Sequence, residues 1–249
     1  MQLVLSLFPG VDLLGRGFEA EGFCVVRGPD LIFGGDIRDF KPPSDRFDGI
    51  IGGSPCQDFS SLRRCPPSGY GLQMLAEFVR CVEHARPDWF LLENVPGVPD
   101  IKPVGYAVQR FDLRANEFGL AQQRLRHFQF GSLRNQVLVL DRPSRGPVSQ
   151  PIATATEGAK LGRRDWSDFC ALQGLPPLAL ESFTMSARYR AVGNGVPVPM
   201  SRFIARAILN QRSCGSIQLC ICGCGRRVEG KALSALPACR KRIERKRRD

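Results

Sequence analysis

Two side chains in this sequence sit where chemistry is more plausible than packing. Cys56 lies in GGSPCQDFS, between a proline and a glutamine, just past FDGIIGG, an apolar run that ends in flexible residues. A packing cysteine normally lies inside an apolar pattern and behaves as a small hydrophobe. A cysteine at a strand exit instead stands where open α/β sheets carry their reactive loops. Glu93 closes the apolar run WFLL and is followed by Asn94 and Val95. Burying an unpaired carboxylate is costly, so a glutamate at the end of a buried strand reads as a functional group.

The elements that must position these groups alternate between strand and helix. LVLSLF, Leu3 to Phe8, is a short apolar run closed by Pro9-Gly10, hence a strand and a turn. A helical pattern with Leu14 and Phe18 four apart runs to Gly22. FCVV, LIFGGD and DGIIGG read as three further strands, and Leu75, Ala76 and Val79 mark one face of a helix beginning near Leu72. WFLLENV, RHFQFGS and QVLVLD read as later strands. Asp141 to Arg164, rich in Pro, Gly, Thr and Arg, reads as loop. Pro199 opens a helix with Met200, Phe203, Ile204, Ala207 and Ile208 on one face. The expected fold is α/β, a Rossmann-like, mostly parallel sheet flanked by helices. The strand ends at Phe8-Pro9-Gly10, Gly35-Asp36-Ile37, Pro55-Cys56-Gln57 and Glu93-Asn94-Val95 then share one edge, where ligands bind.

Composition limits the partners. The net charge is +11, of which +7 falls between Arg226 and Asp249, and an anionic partner such as nucleic acid is expected. No apolar run is long enough to cross a membrane, and the N-terminus lacks the basic segment and cleavage site of a secretory signal. A cytoplasmic protein without membrane partners is expected. Five of the ten cysteines are scattered and five crowd the C-terminus, which suits reduced thiols plus a metal cluster better than disulfides.

Six segments resemble, in order, the motifs of the C5-cytosine DNA methyltransferases: FPGVDLLGRGFEAEGF, GGDIRDF, GGSPCQDFS, FLLENVPG, FGLAQQRLRHFQFG and RYRAVGNGVPVPMSRFIARAI. The resemblance implies a DNA (cytosine-5-)-methyltransferase using S-adenosylmethionine. Cys56 would add to C6 of a cytosine flipped out of double-stranded DNA, Glu93 would hydrogen-bond N3, and Arg124 or Arg126 would orient O2 and hold the thiol loop. Phe8, Gly10, Asp12, Leu13, Asp30, Asp36, Ile37, Pro55, Asn194 and Val196 would line the cofactor site. Gln57, Ser60, Asn94 and Gln122 would serve the substrate. Asp12 stands where the family carries a second glycine, and Asp30 is displaced from the usual ribose-binding acid. A prokaryotic or phage role in restriction-modification is the expectation. A transfer RNA cytosine methyltransferase, an enzyme using a modified S-adenosylmethionine and an inactive DNA-binding relative are the alternatives.

The organisation expected from these motifs is a catalytic core over 1–140, a short recognition segment over 141–165, closing motifs over 166–211 and a Cys-rich basic tail over 212–249. Only about 35 residues separate Gly131 from WSDFCALQGLP, where the family normally inserts a long recognition region. So little chain reads few base edges. Short specificity, recognition through the tail or an additional subunit would follow. In the tail, Cys220, Cys222, Cys224 and Cys239 supply four thiolates, enough for a closed zinc site, with Cys214 as a substitute ligand.

Overall fold

A computed structural model describes residues 1–61, 63, 65–210, 212–213, 218–228 and 232–246. Its centre is a six-stranded sheet. In chain order the strands are β1 (Leu3–Leu7), β2 (Cys24–Arg27), β3 (Gly49–Gly53), β4 (Trp89–Asn94), β5 (Ala107–Arg114) and β6 (Leu125–Ser132). They are arranged β2-β1-β3-β4-β6-β5; the first four run parallel, and β6 is antiparallel to both its neighbours. The mostly parallel α/β class expected from the sequence is the class observed.

The inner strands are largely buried, with apolar runs such as Trp89–Leu92, because both faces of the sheet are covered. Helices α1 (Leu13–Glu19) and α5 (Val198–Leu209) pack on one face, where Phe18, Trp89, Phe130 and Ile204 are buried together. Helix α2 (Tyr70–Ala85) covers the other face with Met74, Phe78 and Val82 against Phe90 and Leu92. Each such side chain contributes roughly 1.5–3 kcal/mol by leaving water. The Ser201 hydroxyl donates to the Leu14 carbonyl, which fastens α5 to α1 and returns the end of the core to its beginning. Between them, α3 (Trp166–Ala171) and α4 (Met185–Asn194) stack Trp166, Phe169 and Tyr189 into a smaller cluster.

Three local expectations are corrected. LIFGGD is no strand, and Asp36 therefore does not end one. The Asp30 carboxylate caps the Ile32 amide at 2.9 Å, and Gly34 takes a left-handed φ of 81°, so Leu31–Phe33 forms a single 3-10 turn with exposed side chains. QVLVLD contributes only β7 (Gln136–Val137), which pairs with β8 (Arg212–Ser213). The Gln109 side-chain amide bonds both the amide and the carbonyl of Leu138, at 2.8 and 3.0 Å, and so removes that residue from any ladder. Strand β5 was not anticipated. Its signal is the burial of Phe111 and Leu113 between half-exposed polar neighbours, the alternation of an edge strand.

Candidate active site

The polar strand ends meet in a cleft at the carboxyl edge of the sheet, around the point where the order reverses between β1 and β3. All ten residues expected to face a cofactor line it: Phe8, Gly10, Asp12, Leu13 and Asp30 from the first half, then Asp36, Ile37, Pro55, Asn194 and Val196. Cys56, Gln57, Glu93 and Arg126 line it as well. Arg124, Ser60, Asn94 and Gln122 do not.

Cys56 follows β3 with φ −101° and ψ 0°, the bridge region in which many active-site residues sit. Burial pushes its thiol upward, and the Glu93 charge adds to this, against the pull of Arg126 and Arg124. Glu93 is the fifth residue of the fully buried β4, and its Oε1 lies 2.9 Å from Arg126 Nε. Burial also raises the Glu93 carboxyl, opposed by Arg126 and Arg124. Gly53 makes room for that carboxylate, because a Cβ there would stand 2.8 Å from Glu93 Oε2. A thiol, a carboxyl biased toward its protonated form and a guanidinium thus share one end of the cleft.

The raised thiol has a measurable consequence. In the free protein, iodoacetamide labelling of Cys56, followed peptide by peptide, is expected to keep accelerating at least to the ordinary thiol value of 9.0. Glu93→Gln removes a charge that raises the thiol, so the labelling curve should move to lower pH. A wild-type midpoint below about 8, or an unmoved curve in the variant, contradicts this electrostatic assignment.

The residues outside the cleft hold it together. The Asn94 amide donates to the Ser54 carbonyl at 3.1 Å and hydroxyl at 3.0 Å, while its oxygen accepts from the Val95 amide at 2.8 Å. It ties the loop before Cys56 to the strand end carrying Glu93. Gln122, fully buried, accepts from the Ala153 amide at 3.0 Å and donates to Gln173 at 3.1 Å. Arg124 donates to the carbonyls of Ala153, Gly193 and Gly195 at 2.8, 2.6 and 3.2 Å. Burial and the neighbouring Arg126 disfavour its charge, opposed by Glu93 and Cys56. Of the two arginines, Arg126 faces the cleft and Arg124 fastens the closing segment. Ser60 caps the short turn Gln57–Phe59 beyond Cys56.

The other half of the cleft is built on unusual backbone. Phe8 has φ 53°, a strained conformation for a bulky residue, and Gly10 has φ 53°. The Gly10 amide donates to Asp30 Oδ2 at 2.8 Å, so Asp30 closes the turn after β1 as well as its own. Asp12 caps α1 through the Gly15 amide, accepts from the Ser6 hydroxyl, each at 2.9 Å, and meets Arg27 at 3.0 Å. Asp12 is thus a buried helix cap. The Arg38 side chain grips Asp36 and holds its carboxyl down at about 2. Sequence reasoning missed Ser6, Ile32, Ser54, Tyr70 and Met74, which also line the cleft, and Arg27, which pairs with Asp12. These residue types carry no positional signature.

Far from the cleft in sequence, Cys220, Cys222, Cys224 and Cys239 are all buried, with their sulfurs within 4.8 Å of one another. Cys214 lies outside the described residues. Among the described residues no helix is long and apolar enough to cross a membrane.

Residues 32–160, just over half of the chain, match the family described as C-5 cytosine-specific DNA methylase. The Type II methyltransferase M.FnuDI of Fusobacterium nucleatum is 31% identical over 161 residues, which cover 51% of this chain and 46% of that protein. This chain spans about half the length of the first four curated relatives it matches. The Type II methyltransferase M.HindV of Haemophilus influenzae is 24% identical over 292 positions, covering 83% of this chain and 96% of that one. That alignment has more positions than this chain has residues, so M.HindV carries segments without a counterpart here. The Spodoptera frugiperda DNMT2 mutant structure aligns with a TM-score of 0.62 at 12% identity, over 84% of this chain and 100% of its own. The S. pombe Dnmt2 methyltransferase aligns with a TM-score of 0.58 at 14% identity, over 84% and 99%. At such identities the two structures speak for the fold.

Proposed function

The chain belongs to the C-5 cytosine-specific DNA methylase family, and from that premise we propose that it methylates C5 of cytosine in DNA through a covalent adduct between Cys56 and C6. The observation that carries this reading is the convergence of Cys56, Glu93 and Arg126 in one cleft with the turn through Phe8 and Gly10 and the side chains of Asp30, Asp36 and Ile37. The fit is chemical. Ile32 and Ile37 give an apolar wall, Asp30 and Asp36 place carboxylates beside it, and the turn through Phe8 and Gly10 brings backbone close. S-adenosylmethionine bound there supplies an electrophilic methyl group.

The side chains divide the remaining work. The base enters the cleft flipped out, since its reacting atoms are otherwise shielded within the stack. Cys56, as thiolate, adds its electron pair to C6. Protonated Glu93 donates a hydrogen bond to N3 and stabilises the electron density pushed onto the ring. Arg126, held by Glu93 through Nε and by the Leu125 carbonyl through one terminal nitrogen, lines the cleft and is the group left to donate to O2. The cofactor held along Phe8, Gly10, Asp30 and Ile37 would supply its sulfonium methyl to C5, the S–CH3 bond breaking so that S-adenosylhomocysteine leaves. Loss of the C5 proton to water expels the Cys56 sulfur and restores the ring. Asn94, Gln122 and Arg124 take no part in the chemistry; they keep the thiol loop and the closing segment in register with β4 and β6.

Incubation with a methyl-labelled donor and either duplex DNA or transfer RNA, followed by digestion to nucleosides, is expected to give 5-methyl-2′-deoxycytidine. Label confined to RNA would move the substrate class. Label on the exocyclic amine, or none, would refute the C5 chemistry.

A further inference from the structure

The C-terminal segment offers a second site, separate from the cleft. Cys220 and Cys222 sulfurs lie 3.4 Å apart, and those of Cys224 and Cys239 lie 3.8 Å apart. A tetrahedral zinc ion with Zn–S bonds near 2.3 Å separates its thiolates by about 3.8 Å. Four buried thiols whose sulfurs all lie within 4.8 Å of one another can fill every position of one tetrahedral ion, which is the arrangement of a structural rather than a catalytic metal. Gly223 and Gly225, with positive φ of 82° and 76°, flank Cys224 and turn the chain tightly on either side of it.

This segment is docked on the sheet. The Leu140 amide donates to the Gly225 carbonyl at 2.9 Å, and Gly223 packs so closely on β5 that a Cβ would stand 3.0 Å from the Arg110 carbonyl. Helix α6 (Pro237–Lys246) carries Cys239 in its first turn and is anchored further along by Arg242, whose guanidinium donates to Asp112 Oδ2 at 2.9 Å. Asp112 Oδ1 pairs with Nδ1 of the fully buried His127 at 2.7 Å. The sheet register places Asp112 opposite His127 and His127 opposite Asn94, the neighbour of Glu93. With about 4.8 Å between strands, the anchor of α6 stands at the level of the catalytic strand end and roughly 10 Å to its side.

The outward groups of α6 are basic. Arg240, Lys241 and Arg245 are exposed and, among the described residues, none of the three forms an ion pair. The core has little chain for recognition between β6 and α3. We propose that Cys220, Cys222, Cys224 and Cys239 hold one zinc ion that locks α6 onto β5, and that Arg240, Lys241 and Arg245 then contact the phosphate backbone of the duplex DNA whose cytosine enters the cleft. The DNA part of this inference rests on the function proposed above; the metal part does not.

The full chain is tested as purified. Elemental analysis should find about one zinc per chain, lost in the double variant Cys224→Ser, Cys239→Ser. Absence of zinc from the wild type, or iron in its place, overturns the metal assignment. The triple variant Arg240→Gln, Lys241→Gln, Arg245→Gln leaves every thiol intact and should keep its zinc. Its affinity for a cytosine-containing duplex should fall about 10- to 100-fold at 0.1 M salt, and the slope of log affinity against log salt should drop by about 2 to 3, near 0.9 per lost phosphate contact. An unchanged slope overturns the phosphate role, as does tighter binding to an RNA duplex of the same sequence. A wild-type protein that binds DNA with the α6-dependent slope but transfers no methyl group refutes the proposed function and leaves this inference standing.

Discussion

Cys56→Ala is expected to reduce methyl transfer by on the order of 10⁴-fold or more while leaving DNA binding largely intact. The size follows from what the sulfur does. Cytosine C5 is a poor nucleophile, and only addition at C6 turns the ring into an enamine-like species able to take a methyl group. No neighbour can substitute: among the groups lining this end of the cleft, Glu93 and Arg126 are engaged with each other at 2.9 Å. A loss of that size corresponds to about 5.4 kcal/mol of transition-state stabilisation. Binding should survive because the thiol is half-buried on the loop floor, and the α6 cations are elsewhere. Single-turnover kinetics with labelled donor measure the first quantity and a filter or anisotropy titration the second. Retention of methylation by Cys56→Ala would remove the covalent route.

Glu93→Gln should lower the single-turnover rate by about 10²-fold or more, the usual scale for acid–base assistance. The variant keeps the volume that Gly53 accommodates and a group that can still hydrogen-bond Arg126. What it loses is the titrating proton. Burial biases the Glu93 carboxyl toward its protonated form, opposed by the two arginines, so a donor to N3 is at hand at higher pH than for a free glutamate. The amide can donate a weaker hydrogen bond, and hence the rate should fall rather than vanish. A near-wild-type rate would take Glu93 out of the scheme.

The edge that carries Cys56 and Glu93 was legible in the sequence because each of these two strand exits announces itself locally. GIIGG followed by Ser-Pro-Cys, and WFLL followed by Glu-Asn, are apolar runs that break into polar residues within one position, and both became buried parallel strands. LIFGGD has the same local appearance and is not a strand. What decides between them is Asp30, whose carboxylate bonds the amides of Ile32 and Gly10 and so bends the chain toward β1. That contact spans twenty residues and leaves no periodic trace. The same holds for the positioning groups. Arg124 reads as one of a pair of arginines two positions apart, yet its partners are carbonyls at Ala153, Gly193 and Gly195, reached only through the tertiary fold. The four tail cysteines were legible as a set, while the Arg242–Asp112–His127 row was not, since it joins a tail to two strands of a hairpin.

The measurement closest to the central claim is covalent trapping. A duplex bearing 5-fluorocytosine, incubated with S-adenosylmethionine and the protein, blocks loss of the C5 substituent and should hold the enzyme on DNA through denaturation. Peptide mapping of that complex should place the cross-link on the segment containing Cys56, and Cys56→Ala should form none. A wild-type protein that methylates ordinary DNA yet forms no such adduct, or forms it at another cysteine, would contradict the mechanism.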